Sequence, residues 1–131
     1  MFSIKKIHNQ KMDMNSYLLI KQRKVVVIDP GFNGEEIISL MNERSLTLDS
    51  ILLTHGHFDH IRDIEKINEN FSAKIFIHEK DKSLLYNSKQ NYALAFGQKF
   101  TLKDSHIINS FDSMDQLSIL DERIKIIHTQ G

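Results

Sequence analysis

The residues best suited to chemistry lie together in one short stretch, Thr54-His55-Gly56-His57-Phe58-Asp59-His60, which holds three histidines and one aspartate. Imidazole and carboxylate groups are ligands that zinc, iron and manganese accept. If these groups were buried without a metal, each would need hydrogen-bond partners to offset the cost of leaving water. The stretch therefore predicts a metal site. The alternative interpretation is a solvated, histidine-rich loop.

The spacing of the four side chains limits the local backbone. On a strand, His55, His57 and Asp59 would share one face, and His60 would lie on the other. On a helix, His55 and Asp59 would share a face, while His57 and His60 would share a different one. A loop that turns into a helix near Asp59 removes this conflict. It allows the first two residues to approach one metal and the last two to approach a neighbouring metal.

The pattern Thr-His-x-His-x-Asp-His, placed after the apolar run Ile51-Leu52-Leu53, resembles the metal-binding signature of the metallo-β-lactamase fold hydrolases. The resemblance is to the glyoxalase II-like (hydroxyacylglutathione hydrolase-like) branch. It implies that His55 and His57 bind a first metal and that Asp59 and His60 bind a second. It also implies a catalytic role for Asp59, which would orient the attacking water as well as bind metal.

From this resemblance we expect a metal-dependent hydrolase that uses a metal-bound water or hydroxide to cleave a thioester or ester. The expected cofactor is zinc, as two divalent ions, with iron or manganese as alternatives. Two other functions stay open. One is a truncated, non-catalytic module that binds a partner, and the other is a nuclease of the same superfamily.

Composition narrows the class of partner. The 131 residues include 17 basic and 17 acidic side chains, so there is no global field to attract nucleic acid or an anionic membrane. A small-molecule thioester or ester is therefore the expected partner. The absence of cysteine excludes disulfides and thiolate metal sites. No apolar run is long enough to span a bilayer and no signal peptide is evident, so a cytoplasmic location is expected.

Strand and helix patterns predict an α/β (α+β) fold. Residues 1–10 resemble a strand of mixed pattern, and more regular strands are predicted at Tyr17–Ile20, Lys24–Ile28, Ser50–Leu53, Ala73–His78, Gln116–Ile119 and Arg123–Ile127, the last two forming a hairpin. Residues 87–110 contain only a small apolar run, and a surface loop is expected there. The resemblance implies the N-terminal part of an αββα sandwich, a mixed sheet with flanking helices.

Three helices are predicted between these strands. The first begins after Asn33, whose side chain is expected to cap it with Glu36 in the capping-box position. The second follows the histidine-rich stretch Thr54 to His60, which we call the metal stretch. Its buried stripe is formed by Ile61, Ile64, Ile67 and Phe71. A short third helix covers residues 79–86.

Two further positions bear on the metal site. Asp29 ends a strand directly before Pro30-Gly31, and it is either a support for the histidine ligands or a turn residue. Arg62-Asp63 stands where the family usually has Gly-Gly. These larger side chains would alter backbone packing or substrate access near the metal.

The last four residues, His128-Thr129-Gln130-Gly131, resemble the beginning of the family's His-Thr-Pro-Gly-His-Thr motif. The ligand in that motif is the second histidine, so His128 matches the residue that does not bind metal. The resemblance implies that a third histidine, a bridging aspartate and a last histidine ligand follow Gly131. We therefore expect residues 1–131 to be a single metallo-β-lactamase-like domain that is incomplete at its C-terminus, with an unfinished apolar face open to homo-oligomerisation.

Overall fold

The computed structural model of the chain describes residues 3–54, 56–102, 108–111, 116–120 and 122–125. The strands are β1 Ser3–Asn9, β2 Met14–Lys21, β3 Lys24–Ile28, β4 Thr47–Leu53, β5 Lys74–His78, β6 Ile108–Phe111, β7 Gln116–Ile119 and β8 Glu122–Lys125. The helices are α1 Gly34–Glu43, α2 Phe58–Ile61 and α3 Ile64–Phe71, with 3-10 helices at Glu79–Tyr86 and Ala93–Phe96. No helix among these residues is long and apolar enough to cross a membrane.

Six strands form one mixed sheet in the order β1-β2-β3-β4-β5-β6, which confirms the predicted α/β class. The first three strands are antiparallel, whereas β3 to β6 are parallel. Val25, Val26 and Val27 in β3 are fully buried, as expected for a strand that is covered on both faces. The predicted hairpin near the C-terminus is confirmed as the antiparallel pair β7-β8. Ile126 and Ile127, the end of its predicted second strand, lie outside the described residues.

The parallel pairing of β3 and β4 places the carboxyl ends of these two strands side by side. Ile28, the last residue of β3, pairs with Leu52 near the end of β4. The residue that follows β3 is Asp29, and the histidine-rich stretch follows β4. Two segments 25 residues apart in sequence are thereby brought to one edge of the sheet, as the carboxyl ends of parallel strands require.

The main core lies between the sheet and the helices. The predicted stripe of α2 and α3 is confirmed, because Ile61, Ile64 and Ile67 are fully buried and Phe71 packs partly buried against the core. The opposite face of the sheet holds a second cluster, in which Ile119 of the β7-β8 hairpin packs against strand residues. The hairpin therefore covers part of the face that was expected to lie open, and homo-oligomerisation stays a prediction.

The prediction that the Asn33 side chain caps α1 is wrong. Asn33 occupies the N-cap position, but its side chain makes no capping hydrogen bond. Its Nδ2 instead donates to Ser16 Oγ at 2.9 Å and to the Ile7 carbonyl at 3.3 Å. The side chain of Asp63, from the segment after the metal stretch, accepts the N–H of Gly34 at 2.9 Å. A residue distant in sequence thus supplies the cap.

Candidate metal centre

The histidine-rich stretch is a loop that becomes a helix, as its spacing predicted. His57 is extended, with φ −76° and ψ 148°, and α2 begins at the next residue, Phe58. The Phe58 ring is 1% exposed and meets the rings of Phe32 and Phe100 edge-on at 5.5 and 6.2 Å. This buried ring anchors the loop, and the side chain of the following residue, Asp59, stays 38% exposed.

Asp29 joins the metal stretch to the neighbouring strand. Its carboxylate is buried and accepts the backbone N–H of Thr54 at 2.8 Å and the Thr54 hydroxyl. The same carboxylate lies 3.1 Å from Nδ1 of His60. Asp29 also has φ +51°, so it serves in the turn as well. The interpretation of Asp29 as a turn residue is therefore confirmed. Its contact with Nδ1 of His60 has the form of the support that metal-binding histidines usually receive, and that role stays a prediction.

The other ring nitrogen of His60 faces Asp59. Nε2 lies 3.5 Å from Oδ2 of Asp59. Two ligands that each stand about 2.1 Å from a tetrahedral ion are separated by about 3.4 Å. The two atoms are thus spaced as ligands of one metal would be. Their chemistry, an imidazole nitrogen and a carboxylate oxygen, also suits a divalent ion.

The two carboxylates control the protonation of His60. Burial by itself lowers the pKa of this imidazole, but the hydrogen bond and charge of Asp29, with the charge of Asp59, outweigh it and leave the pKa raised. In the metal-free protein the ring therefore holds its proton more tightly than an ordinary histidine. Because only the neutral imidazole binds a metal, a protonated His60 must lose this proton before it can bind one.

Of the other two predicted ligands, only His57 lies among the residues that the structure describes. His55 lies outside the described residues, so its position relative to the other ligands stays a prediction. His57 has its ring edge-on to Tyr92, with centroids 5.0 Å apart. Among the residues described, no three histidine, aspartate or glutamate side chains are grouped closely enough to hold one ion. Asp59 and His60 are the predicted pair that the structure brings together.

Two supporting residues were missed by the sequence analysis. Asp81, in the first 3-10 helix, accepts the N–H of Gly56 at 3.2 Å. The carbonyl of Asn91 accepts the N–H of Phe58 at 2.6 Å. Neither residue lies in a motif, and their distance along the chain from the histidines carries no signal. The small apolar run after Asn91 was visible in the sequence, but not its contact with the metal stretch.

Arg62 and Asp63 connect the metal stretch to α1 through hydrogen bonds and packing. The N–H of Gly31 donates to the His60 carbonyl at 2.9 Å, and the N–H of Asp63 donates to the Gly31 carbonyl at 2.9 Å. The Asp63 side chain then caps Gly34, as described above. Arg62 lies with its guanidinium 4.3 Å from the centre of the Phe32 ring.

The close contact between Gly34 and Asp63 predicts that the effect of Gly34→Ala on the free energy of unfolding changes sign when Asp63 is also replaced. A Cβ on Gly34 would stand 2.7 Å from Cβ of Asp63, so Gly34→Ala should lower the free energy of unfolding by about 1–3 kcal/mol. In an Asp63→Gly background this clash is absent. Gly34→Ala should then stabilise by about 0.5–1 kcal/mol, because alanine is the better helix former. Urea unfolding of the four variants measures the coupling, and equal effects in both backgrounds would contradict it.

Sequence comparison places these features in a family. The model of the Metallo-beta-lactamase superfamily matches residues 13–131. The chain therefore belongs to the metallo-beta-lactamase superfamily, which confirms the predicted family.

Three relatives have named activities. The chain is 35% identical over 77 residues to the probable metallo-hydrolase YqgX of Bacillus subtilis, covering 59% of this chain and 36% of that protein. It is 39% identical over 67 residues to hydroxyacylglutathione hydrolase 1 of Vibrio vulnificus, covering 50% and 27%. It is 33% identical over 78 residues to the exodeoxyribonuclease WalJ of Streptococcus pneumoniae, covering 57% and 29%.

Solved structures agree on the fold. The BLEG-1 B3 metallo-beta-lactamase superposes with a TM-score of 0.83 at 28% identity, covering 98% of this chain and 62% of that one. TTHA1623 in a di-iron-bound form has a TM-score of 0.70 at 26% identity, covering 86% and 56%. The metallo-β-lactamase fold predicted for this chain is confirmed.

The chain spans only part of its relatives. It covers 36% of YqgX and 40% of a second probable metallo-hydrolase, from Streptococcus pyogenes. The proposal that residues 1–131 form a single domain, incomplete at the C-terminus, stays a prediction.

Proposed function

We propose that this chain is part of a divalent-metal hydrolase that cleaves a small-molecule thioester or ester. The observation that carries the proposal is the chain of contacts from Asp29 through His60 to Asp59. It presents an imidazole and a carboxylate at ligand spacing, with the imidazole oriented from behind by a buried carboxylate. The choice of a thioester is supported by the similarity to hydroxyacylglutathione hydrolase 1.

In this proposal the chain contributes four ligands. His55 and His57 would hold one ion, and Asp59 and His60 would hold the other. A bound divalent metal supplies a water of lowered pKa and polarises the substrate carbonyl. Asp59 would orient the attacking water, and Asp29, beside Nδ1 of His60, would leave Nε2 of that ring available to a metal. Further ligands are proposed to come from beyond Gly131.

Zinc is the proposed metal, because imidazole and carboxylate groups are common ligands of catalytic zinc. Iron and manganese accept the same ligands, and TTHA1623 was solved in a di-iron-bound form. Elemental analysis of the protein, purified without added metal, distinguishes these ions.

The direct test uses the full-length protein that contains this chain. We expect hydrolysis of a hydroxyacyl-glutathione thioester that is lost on treatment with a chelator and restored by zinc. His57→Ala should abolish the hydrolysis and remove the ion that His55 and His57 are proposed to hold. Absence of bound transition metal, or unchanged hydrolysis in His57→Ala, would reject the proposal.

A nuclease is the second candidate, and the similarity to exodeoxyribonuclease WalJ favours it. The equal numbers of basic and acidic residues argue against it, because phosphate backbones are usually bound by an excess of lysine and arginine. Cleavage of single-stranded DNA and RNA at low salt, run beside the thioester assay, separates the two candidates. A cytoplasmic location stays a prediction.

A further inference from the structure

The backbone between the two proposed ligands of the first metal is bound by a residue from outside the metal stretch. Gly56 separates His55 from His57 in sequence, and it is buried. Its N–H donates to Oδ2 of Asp81 at 3.2 Å. Asp81 lies 25 residues further along the chain, in the first turn of the 3-10 helix Glu79–Tyr86. This hydrogen bond therefore links the middle of the predicted ligand pair to a different element of the fold.

The same 3-10 helix packs directly on Gly56. A Cβ at this position would stand 2.7 Å from Cβ of Leu84 and 3.0 Å from the carbonyl oxygen of Asp81. Neither atom can swing away, because both lie at the backbone of the 3-10 helix. The φ of Gly56 is not positive. Glycine is therefore needed here because two backbones approach each other closely, and not because of a left-handed conformation.

Asn91 fixes the backbone on the other side of His57. Its carbonyl accepts the N–H of Phe58 at 2.6 Å. Its fully buried side chain donates to the carbonyl of Leu84, in the 3-10 helix, at 2.8 Å. The side chain also accepts the backbone N–H that follows Tyr92, whose ring centroid lies 5.0 Å from that of His57. The metal stretch is thus attached on both sides of His57 to one segment, which begins with the 3-10 helix.

We propose that Asp81 is a positioning residue for the first metal. By holding Gly56 it sets the direction of the two flanking imidazoles, which must converge on one ion, as residues behind metal ligands commonly do. The ion assigned to Asp59 and His60 should not depend on Asp81, because the carboxylate beside that histidine belongs to Asp29. The inference rests on the proposed metal centre.

The test measures zinc binding to the metal-stripped, full-length protein in two backgrounds that each keep one ion. In Asp59→Asn the remaining ion is the one proposed for His55 and His57, and in His57→Ala it is the other ion. Zinc is titrated against a competing chelator in each background, with and without Asp81→Ala. We expect Asp81→Ala to weaken zinc binding by about 10–100-fold in Asp59→Asn, and to leave it unchanged in His57→Ala.

Two further variants separate the hydrogen bond from charge. Asp81→Asn keeps an oxygen that can accept the Gly56 N–H, so it should recover most of the zinc affinity that Asp81→Ala loses. Glu79→Ala is the matched control, because Glu79 is an exposed carboxylate in the first turn of the same 3-10 helix. It should leave zinc binding unchanged in both backgrounds.

Urea unfolding checks that each variant is folded. Asp81→Ser, whose side chain is too short to reach the Gly56 N–H, replaces Asp81→Ala if the alanine variant does not fold, with the same expected result. An equal loss of zinc affinity in the two backgrounds would show that Asp81 acts only on the stability of the fold, and it would overturn the inference. Unchanged affinity in both backgrounds, or equal losses in Asp81→Asn and Asp81→Ala, would also overturn it.

Failure of the proposed hydrolase is recognisable separately. Zinc would then bind to the wild type and depend on Asp81 in the Asp59→Asn background, but no thioester would be cleaved. A wild type that cleaves the thioester and shows no such dependence on Asp81 would reject the inference alone. A wild type that binds no zinc or other transition metal would reject both.

Discussion

Asp59→Asn is expected to reduce metal-dependent hydrolysis by about 10²–10⁴-fold, the range for loss of a group that orients a reacting water. Asparagine keeps the size of the side chain but removes the negative charge that lies 3.5 Å from Nε2 of His60. Loss of a residue that supports a metal ligand typically lowers the metal affinity by about 10–100-fold. Loss of Asp59, a proposed ligand itself, should lower it further. Metal titration of the folded protein and thioester hydrolysis measure the two effects.

Asp13→Asn is the matched control for this variant. Asp13 also faces a histidine, with its Oδ1 3.8 Å from Nε2 of His8, but this pair is exposed to solvent in the β1-β2 turn. Asparagine also tolerates the positive φ of this position. The control should retain full metal content and activity. A similar loss in both variants, or full metal affinity in Asp59→Asn, would argue against Asp59 as a ligand.

Asp29→Asn is expected to weaken metal binding by about 10–100-fold without touching a proposed ligand atom. Asparagine tolerates the φ of +51° at this position and keeps an acceptor for the Thr54 N–H. What it removes is the negative charge together with the acceptor Oδ2, which accepts the Thr54 hydroxyl and lies beside Nδ1 of His60. The backbone contact of the turn is kept, so the effect reports the support that Oδ2 gives to the imidazole.

The same variant should lower the pKa of His60 in the metal-free protein, which NMR titration of the imidazole can follow. In the wild type the pKa of folded His60 is raised above its unfolded value of about 6.5. The stability that His60 contributes is therefore complete below the unfolded pKa and is lost as pH rises through the folded pKa. The stability difference between wild type and Asp29→Asn should accordingly shrink as pH increases. An unchanged pKa of His60 would show that Asp29 does not act on it.

Local patterns were sufficient for most of the elements. The isoleucines of α2 and α3 recur every three residues, which predicts one buried helix face. The continuous valines of β3 predict a buried strand, and two short strand patterns around a polar turn predict the hairpin β7-β8. The cap of α1 was not predictable in this way. Asn33 is a good capping residue by type, yet Asp63 caps the helix because the fold brings its buried carboxylate to Gly34.

The sequence alone determined the family, because His55, His57, Asp59 and His60 follow an apolar strand in a motif that resembles the family's signature. Only the tertiary structure decided what surrounds that stretch. Parallel pairing of β3 and β4 carries Asp29 to His60, and the buried Asn91 holds Tyr92 beside His57. Such contacts join residues tens of positions apart, and they depend on strand order and packing, which no local spacing encodes.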